Sequence, residues 1–154
     1  MAELTRLDVA PVWARFNEGL IRLVEHIPDD KMNWSPQEGL WNFRGILLHI
    51  ADARDNWLGH TVHDGIEWTA VWGEVRSKPE IQAAYRRTWT RLESFLSDPA
   101  RLDAMYDDGE PGRPEMVSGH WIAFHLLEHD IHHRADIMHY LALLGVQHPD
   151  VGTP

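Results

Sequence analysis

Histidine is the residue to start from. Of 154 residues, 11 are His and 8 are Trp, and there is no Cys. The histidines crowd into HWIAFHLLEHDIHHRADIMHYLALLG, from His120 to Gly145. On a helix advancing about 100° per residue, with His129 at zero, His133 falls at about +40°, His125 at about −40°, His132 at about −60°, Asp136 at about −20° and Tyr140 at about +20°. One stripe therefore carries imidazole where a bundle core carries leucine. Several neutral imidazoles on such a stripe need partners for their nitrogens, and a metal ion satisfies several at once. Taken singly, each of these histidines reads as an ordinary hydrogen-bonded residue; as a set they read as ligands.

Two HxxxH pairs overlap, 125/129 and 129/133. His49 lies close to the middle of an earlier helical stretch, as His129 and His133 straddle the middle of the last one, so aligned helices can bring the three to one level. Three imidazoles from two helices make a metal face with positions left for water or substrate. A competing motif, His125-Leu-Leu-Glu128-His129, fits the H-x-x-E-H of inverted zinc proteases. That chemistry needs an acidic third ligand downstream, and no Glu follows Glu128.

Four amphipathic stretches must position these residues. The first runs from about Val9 to His26, with Val12, Phe16, Leu20, Leu23 and Ile27 along one face and Pro11 tolerated in the first turn. The second spans about Leu40 to Val62, with Ile46, His49, Ile50, Trp57 and His60 on one side and Asp52, Arg54 and Asp55 largely on the other. Ser77-Lys78-Pro79-Glu80 forms a capping box that starts the third, which carries Ile81, Tyr85, Trp89, Leu92 and Phe95 and stops at Ser97-Asp98-Pro99. About twenty acidic, Gly- and Pro-rich residues follow, too many for a tight hairpin and suited to a crossover. Ser118 caps the last helix, which ends at Leu144 and Gly145. The fold predicted is all-α, a four-helix bundle with long crossover connections, in a single domain over 1–154. VSG and AVWG are the only segments suited to short extended pairing.

Composition removes several classes of function. Hydrophobic residues are 44% and charged residues 25%, which is globular usage. With 14 basic and 24 acidic residues the net charge is −10, which repels phosphate backbones and anionic membranes, so neither nucleic acid nor a membrane is expected as partner. The absence of Cys excludes disulfides, thiolate metal sites and a cysteine nucleophile. No signal segment or run of 18 apolar residues is present, and a cytoplasmic location is expected.

Three segments resemble the DinB/YfiT-like family of four-helix-bundle metalloenzymes. Ile27-Pro28-Asp29-Asp30-Lys31-Met32-Asn33-Trp34-Ser35-Pro36 is similar to that family's first interhelical link. Ile46-Leu47-Leu48-His49-Ile50-Ala51 resembles its first ligand motif, and Glu128-His129-Asp130-Ile131-His132-His133-Arg134 resembles the signature that supplies the other two ligands. By that resemblance the metal ligands are His49, His129 and His133. Where family members commonly continue His-Arg with Gly-Gln, this chain has Ala135-Asp136, and the Asp136 carboxylate either holds a ligand imidazole in one tautomer or alters the pocket altogether.

The resemblance further implies a divalent metal, zinc or nickel, and for the characterised branches transfer reactions using an external low-molecular-weight thiol such as bacillithiol or mycothiol. A metal that binds the thiol sulfur lowers its pKa and presents it as thiolate to a small electrophile. A hydrolase using metal-bound water, and a non-catalytic bundle with a structural or sensing site, are the alternatives. His132, Asn56 and His60, with Asp136, are candidates for proton transfer or substrate contact. Arg134 is a candidate anchor for a thiol carboxylate, or else an interhelical salt-bridge residue. Trp57 and Trp121 can wall the mouths of the site or, more simply, fill the bundle as large anchors, and Trp41, Trp68 and Trp72 can form the contact of a homodimer, which the resemblance favours.

Overall fold

The structure is a computed structural model, and it describes residues 9–67 and 76–148. The main elements are α1 (Ala10–His26), α2 (Phe43–Asn56), α3 (Lys78–Leu96), the short α4 (Pro99–Asp103), strands β1 (Met105–Asp107) and β2 (Met116–Ser118), and α5 (Gly119–Leu143). The four long helices make the expected bundle. Trp68, Trp72 and the AVWG segment lie outside the described residues.

Local chemistry sets the helix ends. Ser77 and Glu80 form the capping box: the Ser77 N–H donates to the Glu80 carboxylate at 2.7 Å, and the Glu80 N–H donates to Ser77 Oγ at 3.4 Å. Ser118 Oγ accepts from the Trp121 N–H at 3.1 Å at the start of α5. Gly145, at φ +69°, turns the chain out of its end in the left-handed conformation. The expected start of α2 at Leu40 moves to Phe43, because Asn42 takes the cap and its side chain accepts from the Gly45 N–H at 2.8 Å. Beyond Asn56 the chain widens into a π-helical turn, Trp57–Thr61. This turn inserts residues off the α-helical phase.

The long connection before α5 is built rather than slack. It holds α4 and the antiparallel pair β1–β2, in register Met105↔Ser118, Tyr106↔Val117 and Asp107↔Met116. The VSG reading falls on β2.

Two apolar clusters fill the bundle. One gathers Leu20, Leu23, Ile27, Phe43, Leu47, Ile50, Tyr85, Ile137 and Leu141; the other gathers Trp13, Leu58, Leu92, Phe95, Ile122 and Leu126. Three sequence expectations change here. Val12 is 39% exposed and Trp13 fully buried, so the α1 stripe is rotated toward Trp13, Asn17 and Leu20. Arg54 and Asp55, set on the face away from His49, are buried. They are tolerated there because each is ion-paired, Arg54 to Asp130 at 2.6 Å and Asp55 to Arg87 at 2.6 Å and Arg91 at 2.9 Å. Finally, Leu126, Asp130 and Ile137 of α5 enter the core, while His129 and His133 stay half-buried beside it.

Candidate metal centre

Helices α2 and α5 run antiparallel, as the contacts Phe43–Tyr140, His49–His129 and Trp57–Trp121 show. At the middle of this seam three histidines converge. His49 Nε2 and His129 Nε2 are 2.8 Å apart, one donating to the other according to tautomer. The His133 ring centre lies 4.9 Å from that of His49 and 4.6 Å from that of His129. One nitrogen from each of the three lies within 4.8 Å of the others.

Electrostatics keeps the cluster neutral. Burial, and then the neighbouring His133, lowers the pKa of His49 from 6.5 to about 4. Burial, followed by His133 and His49, lowers that of His129 to about 3. His133 is also lowered, by burial, while its hydrogen bond to Asp136 opposes the shift. Neutral imidazoles keep the lone pair that a metal requires.

The donor set fits a metal ion. Two nitrogens bonded tetrahedrally to one ion at about 2.0–2.1 Å stand about 3.3 Å apart, within a small side-chain shift of the 2.8 Å between His49 Nε2 and His129 Nε2. Asp136 Oδ2 lies 3.2 Å from His133 Nδ1; accepting that N–H leaves the His133 Nε2 lone pair free, the usual outer support of a ligand imidazole. Among the described residues His129 Nδ1 is buried with no hydrogen-bond partner, and the ring engages the cluster through Nε2.

A family model, DinB family, matches residues 3–154. The chain belongs to the DinB family. Among solved structures, a DinB-like protein from Bacillus subtilis superposes with a TM-score of 0.70 at 17% identity, over 94% of this chain and 95% of that one. A DinB-like protein from Bacillus cereus does so with a TM-score of 0.72 at 21% identity, over 90% and 92%. No curated protein matches the sequence.

The DinB bundle distributes the other sequence-derived candidates unevenly. Asp136 touches the cluster. His132 is exposed, with Nε2 3.7 Å from Asp136 Oδ2. Together with His133 and Asp136 it forms the second group of ligand-type atoms found among the described residues. Asn56 is half-buried and His60 exposed; among the described residues His60 joins no ligand group, and the π-helical turn carries it off the His49 stripe. Among the described residues His125 joins no ligand group with His129, so the ligand pair of an inverted protease is not assembled, and Glu128 is exposed. Arg134 places its guanidinium 4.2 Å from the Phe16 ring centre on α1, a cation–π contact on a different face from the cluster.

Tryptophan placement also differs from the expectation. Trp57 and Trp121 are 5.6 Å apart and enclose His125, at 5.2 and 5.1 Å, one turn from His129. Trp41 walls the cluster itself, edge-on to His49 at 4.6 Å and stacked on His133 at 5.6 Å. Sequence periodicity missed this because Trp41 precedes α2; the Asn42 cap and the positive-φ turn at Gly39 bring it back over the seam. A cleft of about 450 Å³ opens beside it, lined by Leu40, Trp41, Ile46, His132, Asp136 and Tyr140. A cleft of about 500 Å³ between α2 and α3 contains no histidine.

Proposed function

We propose that His49, His129 and His133 hold a divalent transition metal, zinc or nickel, and that the protein is a metal-dependent enzyme transferring an external low-molecular-weight thiol to a small electrophile. The observation that carries this reading is the convergence of three neutral imidazoles, rather than four closed ligands, beside a solvent-open cleft. Structural zinc sites are four-coordinate and closed, whereas catalytic ones keep three protein ligands and an open position. A bound metal of this type supplies a Lewis acid that lowers the pKa of a coordinated thiol or water. The chain's own contribution is to hold the three rings neutral, fix His133 through Asp136 and shield one flank with Trp41. The absence of Cys supports a nucleophile brought from outside. Apolar side chains left exposed on α5, Trp121, Phe124 and Ile131, support a homodimer.

Elemental analysis should find about one metal ion per chain, lost in His49→Ala, His129→Ala and His133→Ala. A protein that stays metal-free when zinc and nickel are added overturns the site, and loss of uptake in His125→Ala but not in His133→Ala overturns the ligand assignment. Consumption of thiol and electrophile together identifies the transferase, whereas turnover in water alone identifies a hydrolase.

A further inference from the structure

All four long helices meet at one buried ion pair. Arg54 on α2 is 0% exposed and Asp130 on α5 is 2% exposed. The guanidinium donates to the carboxylate through Nη2 at 2.6 Å and through Nε at 3.1 and 3.3 Å. From α1, the Trp13 indole N–H donates to Asp130 Oδ2 at 2.7 Å, and Asn17 Oδ1 accepts from Arg54 Nη1 at 2.8 Å. From α3, Thr88 Oγ1 accepts from Nη1 at 3.4 Å, and the Tyr85 ring centre lies 5.8 Å from the guanidinium carbon.

Stability alone is a poor reason for such a layer. A buried ion pair is often no better than well-packed apolar residues, and its best-attested use is to specify register. Apolar clusters lie on both sides of the layer, and greasy contacts by themselves discriminate weakly between neighbouring registers. A slip of one helical turn moves a residue by about 5.4 Å, more than the 2.8 Å that separates His49 Nε2 from His129 Nε2. The charged fork, by contrast, has one geometry. Its position is also telling: Asp130 directly follows His129, Arg54 comes five residues after His49, and among the described residues no hydrogen bond to Nδ1 orients the His129 ring.

We propose that the Arg54–Asp130 pair is the positioning device of the histidine cluster, holding α2 against α5 in the register at which His49 meets His129 and His133. The proposal rests on the metal reading for its affinity readout, and imidazole spectra of the metal-free protein test it separately. Asp130→Asn and Arg54→Lys should shift the ring-nitrogen NMR signals of His49 and His129. They should also weaken Zn²⁺ binding by about tenfold or more in chelator competition, and change the visible spectrum of the Co²⁺-loaded protein. The control is Asp55→Asn, a second buried carboxylate, which pairs with Arg87 and Arg91 of α3. It should melt earlier yet keep the wild-type imidazole signals and affinity.

Unchanged imidazole signals and affinity in both Asp130→Asn and Arg54→Lys overturn the proposal, as does an equal shift in Asp55→Asn. Should Asp130→Asn fail to fold, Arg54→Lys, which keeps the charge but loses the fork, carries the comparison. If the wild-type protein takes up neither Zn²⁺ nor Co²⁺, the metal reading fails and the metal-free spectra decide the positioning role.

Discussion

His49 and His129 owe their depressed pKa values to burial first and to their histidine neighbours second. The unfolded chain binds protons at the ordinary value of 6.5, the folded one at about 4 and about 3. Between those values the unfolded state holds more protons, so stability rises with pH through this window. The contribution is fully present above pH 6.5 and is lost as pH falls toward the folded values. Thermal melts of the metal-free protein should therefore show a falling midpoint from about pH 7 to about pH 5, and His129→Leu should flatten that slope. An equal slope in the two proteins would show that these rings do not carry the effect. A bound metal should move the loss of stability to lower pH, because protons and metal compete for the same lone pairs.

The junction between β2 and α5 depends on one glycine. A Cβ on Gly119 would lie 2.2 Å from the Arg101 carbonyl oxygen and 2.7 Å from Leu102 Cα, both backbone atoms of α4. Backbone cannot swing aside as a side chain does, so Gly119→Ala should cost about 1–3 kcal/mol by overpacking, read from chemical denaturation. The cluster lies about 15 Å further along α5, so metal stoichiometry should be unchanged; a variant as stable as wild type would refute the close packing. The π-helical turn shows the opposite dependence. Leu58 is buried within it, and Thr61 Oγ1 donates to Asp108 Oδ1 at 2.9 Å. Contacts from a distant loop thus favour a phase that the local sequence does not announce.

In the bundle taken whole, no helix among the described residues is long and apolar enough to cross a membrane. Of the exposed apolar side chains, Trp121, Phe124 and Ile131 share one side of α5, at 44%, 67% and 40% exposed. A row of this kind on the outside of a bundle suits a second copy of the chain better than water. Light scattering should give twice the chain mass of 17.8 kDa, and Phe124→Glu should shift the particle to monomer with its metal content intact. A wild-type protein that stays monomeric at high concentration would remove the dimer.

Helix number, the capping box at Ser77, the cap at Ser118 and the grouping of histidines were legible in the sequence, because each depends on residues within a turn or two of one another. The choice of His129 and His133 over His125 came from resemblance, and their meeting with His49 required α2 and α5 to be packed. Tertiary structure alone decided that Arg54 and Asp55 are buried, that Trp41 covers the cluster and that Trp57 and Trp121 enclose His125. The reason is physical. A charge on an amphipathic helix reads as solvent-facing unless its partner is known, and Asp130 is 76 residues from Arg54 along the chain. Periodicity specifies which residues share a face; only packing specifies what that face meets.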